Sequence, residues 1–259
     1  MAQKIQAILP FANIAAFIVT VIINGLANTT IIGGRNTAEI SDMYPTLITP
    51  AGYTFSIWGI IYLLLAIFLV YQALPRQREK PFQKQISGLF ILTCIFNVSW
   101  LFLWQNNYIS YSVILIIGFL LSLIAIYLRL NIGKSNVPLK EKLAVHLPFS
   151  VYLGWLTIAT IANITIALNA VNWDGFGIAA ETWAILVLAV ALLITLAVIF
   201  TRRDIAYSLV VIWALAGIAV NQTVSNVILT AEIAIIIIAV ALVAVLAVQY
   251  LRKTTRART

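Results

Sequence analysis

Apolar residues dominate eight stretches of the chain, at about 10–29, 53–74, 86–104, 109–130, 143–170, 179–200, 205–220 and 229–251. Between them lie short clusters of charged and turn-forming residues. A helix needs roughly 20 apolar residues to cross about 30 Å of hydrocarbon, and most of the stretches reach that length. They are continuous rather than alternating, as in 231–248, so they predict helices rather than the strands of a barrel. The expected fold is all-α, a polytopic bundle of eight membrane-crossing helices, of which the seventh is the shortest.

Composition agrees with this pattern. Of 259 residues, 63% are hydrophobic and 9% charged, where a soluble domain carries about 25% charged residues. The mean hydropathy is +1.04. The net charge of +8 could suggest nucleic acid, but basic residues on such a chain are first sorted by membrane side. Lys4, Arg76, Arg78, Lys80, Lys84, Arg129, Lys134, Lys140, Lys142, Arg202, Arg203, Arg252, Lys253, Arg256 and Arg258 all fall on alternate, even-numbered connections or at the termini. Arg35 alone lies on the other side, with Glu39, Asp42, Asp174, Glu181 and Glu232. The positive-inside rule then puts both termini in the cytoplasm and the first, third, fifth and seventh loops outside. Removing the seventh span would break this alternation.

The segment after Lys4 has the apolar core of a signal peptide, but its length and the absence of a small-residue cleavage pattern favour a retained first span. The basic tail reads as an anchor for anionic headgroups rather than a nucleic-acid-binding segment. Loop 30–52, with Gly33, Gly34, Pro45 and Pro50, is the one long connection, a form that often serves as a lid or binding segment. No internal repeat marks an inverted-repeat carrier.

The spans offer little conventional chemistry. One cysteine, Cys94, and one histidine, His146, exclude a disulfide framework and make a metal centre improbable. No catalytic residue and no metal ligand is assigned, because no phosphate loop, metal-ligand spacing or nucleophile with a base partner occurs. Asp204 reads as a helix N-cap, and His146 as an interfacial side chain. Aromatic stripes are the conspicuous feature. Phe55, Trp58 and Tyr62 share one face of the second span. Asn97, Trp100 and Trp104 share one of the third, and Tyr152, Trp155, Ala159 and Asn163 one of the fifth. An amide in lipid needs a partner, so Asn97 and Asn163 should face the bundle interior, bringing the aromatics with them. Trp104, Trp173 and Trp183, near span ends, fit the interfacial belt. A cavity lined this way would take a large planar apolar ligand.

At these stripes the sequence resembles the TspO/MBR family of tryptophan-rich sensory proteins. The resemblance covers 10–170 and rests on Pro50, Phe55, Trp58 and Tyr62 in TPAGYTFSIWGIIY, on Asn97 and Trp100 in FNVSWLF, and on Trp155, Ala159, Thr160 and Asn163 in WLTIATIAN. It implies a five-helix bundle whose cavity, covered by the first loop, binds tetrapyrroles such as protoporphyrin IX. The sequence departs from the family pattern at Tyr53, where many members have Trp, and at Ala51, where a second proline is common. No sterol-recognition pattern follows the fifth span.

The chain therefore divides into a five-helix bundle, 1–170, and a three-helix extension with a basic tail, 171–259. The expected function is binding of a porphyrin or similar flat hydrophobic molecule by a sensor, carrier or regulator of the inner membrane, with no obligatory cofactor. Tyr53, Phe55, Trp58, Trp100, Tyr152 and Trp155 would stack on the ligand, and Asn97 and Asn163 would hydrogen-bond it or neighbouring helices. Arg35 would meet a propionate. The expected partners are the lipid bilayer, the small hydrophobic ligand and, as an open option, a second copy in a homodimer. Nucleic acid is not among them. A small-molecule transporter, a scaffold of another membrane complex and a light-dependent porphyrin-degrading enzyme are the rival readings.

Overall fold

The computed structural model describes residues 2–29 and 31–256, with side chains described for 8–29 and 31–251. Arg258 lies outside the described residues, as do the side chains of Lys4, Arg252, Lys253 and Arg256. Among the described residues eleven α-helices follow one another: α1 (Ala2–Asn28), α2 (Thr37–Asp42), α3 (Ile57–Ala73), α4 (Pro81–Ile86), α5 (Leu89–Gln105), α6 (Ile109–Arg129), α7 (Leu139–Glu141), α8 (Leu147–Ala170), α9 (Ala180–Arg202), α10 (Ile205–Asn221) and α11 (Ser225–Arg256). Eight are long, and they fall on the eight predicted spans. Among the described residues, six segments are long and apolar enough to cross a membrane; α5 and α10 are shorter apolar helices of 17 residues each.

Local chemistry explains where the spans begin. The second starts as a tight 3-10 turn, Gly52–Ser56, before α3, so Phe55 precedes the α-helix that carries Trp58 and Tyr62. The fifth starts with a π turn, Lys142–His146, just before Pro148. Proline has no N–H to offer the preceding turn, and a widened turn accommodates that loss. His146, expected at the interface, is buried.

Hydrogen bonds sort the helix ends. At one end Asn226 of α11 donates to Glu181 of α9 (2.6 Å), Asn169 of α8 to the Pro45 carbonyl (2.7 Å), and Asn221 of α10 to the Thr49 carbonyl (3.2 Å). At the other, Arg202 of α9 reaches Asn131, which follows α6 (2.9 Å), and Tyr127 of α6 donates to Asp204, which precedes α10 (2.9 Å). Loop 30–52 thus lies at one end and the basic connections at the other, as the alternation of charge predicts.

Small residues let the last helices close up. Ala184, Leu188, Ala191 and Thr195 form a buried stripe on α9, and Ala231, Ala234, Ile238 and Ala241 one on the adjoining α11. Without a hydrophobic drive in lipid, such close packing supplies the association. Large side chains on the opposite faces, such as Leu193, Phe200, Ile236 and Val240, stay exposed and suit acyl chains. Between α3, α5 and α8, the rings of Phe68, Phe90 and Phe149 meet at 5.1–6.3 Å and fill the basic half of the bundle.

Candidate functional site

Above that aromatic plug the bundle encloses a cavity at the end carrying loop 30–52. Its walls are Phe55 and Trp58 from the second span, Trp100 and Trp104 from α5, Ile116 from α6, and Trp155, Leu156, Ala159, Ala162, Asn163 and Ile166 from α8. Thr37, Ser41 and Pro50 of the loop close it. None of these side chains is charged.

The lid is folded rather than slack. Asn36 caps α2, its Oδ1 accepting from the N–H groups of Ala38 and Glu39 (both 3.0 Å), while its own N–H donates to Glu39 Oε2 (2.8 Å). This reciprocal capping fixes a helix of only 6 residues that would not persist unaided. The Trp104 indole N–H then donates to the Thr37 carbonyl (3.2 Å) and pins the lid to α5. On the rim of α2, burial and the neighbouring Glu39 raise the Asp42 carboxyl above its ordinary value.

Ring geometry organises the walls. Trp155 receives Phe55 edge-on at 5.8 Å and Trp58 at 6.3 Å; Trp58 stacks on Tyr62 at 5.6 Å and meets Tyr152 at 5.9 Å. Trp100 and Trp104 stack at 5.5 Å. The amide oxygen of Asn163 accepts from Trp100 Nε1 (2.8 Å), and its nitrogen donates to Ser112 Oγ (3.0 Å), which ties α5, α6 and α8 together. One polar atom among these rings, Trp155 Nε1, is buried with no partner. A buried donor without an acceptor costs about 1–3 kcal/mol, so it is a position where a ligand or water gains by arriving.

The structure gathers Phe55, Trp58, Trp100, Trp155 and Asn163 around the cavity and leaves four predicted site residues outside its lining. Tyr53 is exposed and turns to Trp213 of α10, ring to ring at 5.4 Å, because the 3-10 turn rotates it away from Phe55. Tyr152 stands behind Trp58 and against Phe119. Asn97 faces inward but is claimed by Asn24 of α1, whose Nδ2 donates to Asn97 Oδ1 (2.7 Å). Arg35 is solvent-exposed, its guanidinium 2.9 Å from Met43 Sδ. Trp104 corrects the interfacial-belt expectation: at 3% exposure it is a wall of the cavity. Sequence reasoning also missed α1, where Asn13, Thr20 and Asn24, spaced seven and four residues apart, form a buried polar stripe. That helical periodicity was the available signal.

The cavity has about 40 Å³ of free volume. That is space for a water or two, against about 300–1,000 Å³ for sites that enclose organic ligands. A tetrapyrrole enters only if the lid and walls part.

Fold and site together define a polytopic helical membrane protein with a lidded, tryptophan-lined and uncharged cavity. The profile of one family, described as TSPO-like protein, matches residues 8–249, and the chain belongs to that family. The match does not stop at Ala170 but runs through α9, α10 and most of α11. No curated protein and no solved structure matches the chain.

Proposed function

We propose that the protein binds a tetrapyrrole, or a comparable planar hydrophobic molecule, in the bundle of its first five long helices and acts as a sensor, carrier or regulator. The supporting observation is the wall formed by Phe55, Trp58, Trp100 and Trp155, in which the Trp155 N–H is buried without an acceptor. Flat aromatic surfaces stack on a macrocycle, and an unpaired donor favours a ligand that brings an acceptor. Binding opens the lid, since the resting cavity is small. The basic end faces the cytoplasm of a cell whose inner membrane holds the protein, as the positive-inside rule requires; reporter fusions at the C-terminus and in loop 30–52 test that orientation.

The direct test is titration of the detergent-purified protein with protoporphyrin IX, following the porphyrin absorption band and tryptophan quenching. Saturable binding, weakened roughly tenfold by Trp58→Ala or Trp155→Ala, is the expected result. Folded protein that binds no porphyrin, or variants that bind as the parent does, would overturn the assignment.

A further inference from the structure

A second opening is larger than the tryptophan cavity. At the basic end, the C-terminus of α3 and the start of the fifth span leave an open groove of about 690 Å³, within the ligand-sized range of about 300–1,000 Å³. Tyr71, Leu74 and Leu143 supply its apolar surface, and Arg76 and Lys140 its charge. Both cations are exposed; Glu141, beside Lys140, is buried and does not line the groove, although its carboxylate lies within electrostatic reach of Tyr71. Gln77 contributes an amide whose Oε1 is buried with no donor to accept from.

We propose that this groove is a binding site for an anionic phospholipid whose headgroup carries a hydroxyl, of the phosphatidylglycerol type. Its placement matches the three parts of such a molecule. Arg76 and Lys140 lie just beyond and just inside the crossing segments Gly52–Ala73 and Leu139–Ala170, at the depth where phosphates sit, and basic pockets between helices at that depth bind acidic headgroups. Leu74 and Leu143, 45% and 53% exposed, take the first methylenes of an acyl chain. The Gln77 oxygen accepts from a headgroup hydroxyl, which a choline headgroup lacks. Nothing in this site involves the tryptophan cavity, so it stands or falls apart from the porphyrin reading.

The test is native mass spectrometry of the full chain released from detergent, titrated in parallel with dioleoyl phosphatidylglycerol, phosphatidic acid and phosphatidylcholine. Phosphatidylglycerol is expected to bind at least about tenfold more tightly than phosphatidylcholine, and the pair Arg76→Gln and Lys140→Gln to abolish most of that preference. The pair Arg78→Gln and Lys84→Gln removes equal charge outside the groove and is expected to keep it. Gln77→Leu is expected to weaken phosphatidylglycerol but not phosphatidic acid, which has no headgroup hydroxyl. Equal losses in the two charge pairs, equal binding of the choline lipid, or displacement of bound lipid by free glycerol 3-phosphate would overturn the site. A Gln77→Leu variant that binds both acidic lipids as the parent does would overturn the hydroxyl contact. Unchanged unfolding midpoints in detergent certify that each variant is folded.

Discussion

The indole N–H of Trp100 lies 2.8 Å from the amide oxygen of Asn163, joining α5 to α8 across 63 residues of sequence. Asn163 also exchanges hydrogen bonds with Ser112 of α6, so one buried amide holds three of the walls. Interhelical hydrogen bonds in membrane proteins average about 0.6 kcal/mol and reach about 1.7 kcal/mol. Asn163→Leu, which strands the Trp100 N–H while the Ser112 hydroxyl keeps its bond to the Ile109 carbonyl (2.7 Å), is expected to cost about 1–2 kcal/mol. Thermal unfolding in detergent measures it, and Ser112→Ala should cost less.

Trp155 behaves differently because its N–H already has no acceptor. Trp155→Phe removes that orphan while keeping a ring against Phe55 and Trp58, and it leaves stability within about 1 kcal/mol of the parent. If the N–H meets the porphyrin, the same variant binds porphyrin several-fold more weakly. The two measurements together separate a ligand contact from a packing contact.

Asp204 is 6% exposed and holds three donors: the hydroxyls of Tyr127 (2.9 Å) and Ser150 (2.6 Å), and the Tyr207 N–H (3.2 Å). It therefore does more than cap α10, since it also fastens α10 to α6 and α8. Asp204→Ala loses the cap and strands two buried hydroxyls, for an expected loss of about 2–4 kcal/mol. Asp204→Asn keeps an acceptor and should recover part of it.

Gly217 of α10 sits against loop 30–52 and its continuation so closely that a Cβ there would collide with the Thr54 side chain. Gly217→Leu is expected to push α10 away and to raise hydrogen exchange at 46–54, with little change in α3 or α5. A chain whose exchange pattern stays as in the parent would show that α10 does not hold this segment.

Asp42 gives the lid a pH dependence. Its carboxyl is raised in the folded state by burial and by Glu39, so the folded lid binds the proton more tightly than an unfolded chain does. Lid stability is then highest below the ordinary carboxylate pKa and falls as pH rises through the window between that value and the raised one. Asp42→Asn flattens this dependence, and amide exchange in α2, followed as pH rises from below the ordinary carboxylate range, checks it.

The spans were legible because each is a run of apolar residues bounded by charge; even α10, short as it is, follows from the alternation of Lys and Arg. Trp100, Trp155 and Asn163 were legible because helical spacing puts them on inward faces. Trp104 was not, since proximity to a span end reads the same whether the ring meets lipid headgroups or the underside of a folded lid. The position of Tyr53 outside the lining was not legible either, for a local reason: a 3-10 turn, invisible in the apolar pattern, changes the rotation per residue just where the stripe begins. The second role of Asp204 depends on hydroxyls 54 and 77 residues away, which no local pattern records.

Of the last three helices, α10 reaches the lid directly. Trp213 donates to the Thr54 carbonyl (3.0 Å), Asn221 to that of Thr49 (3.2 Å), Gln222 to those of Thr46 (3.2 Å) and Thr49 (2.8 Å), and the Ala51 N–H donates to the Gly217 carbonyl (2.9 Å). Opening the lid at these residues means stripping those bonds from α10, so the resting position of α10 and the closed lid are one latch. Linkage makes the consequence reciprocal. Whatever displaces α10 from the opposite end loosens the cover over the tryptophans, and a molecule wedged beneath the cover is felt, through α10, at Asp204 on the far side of the membrane.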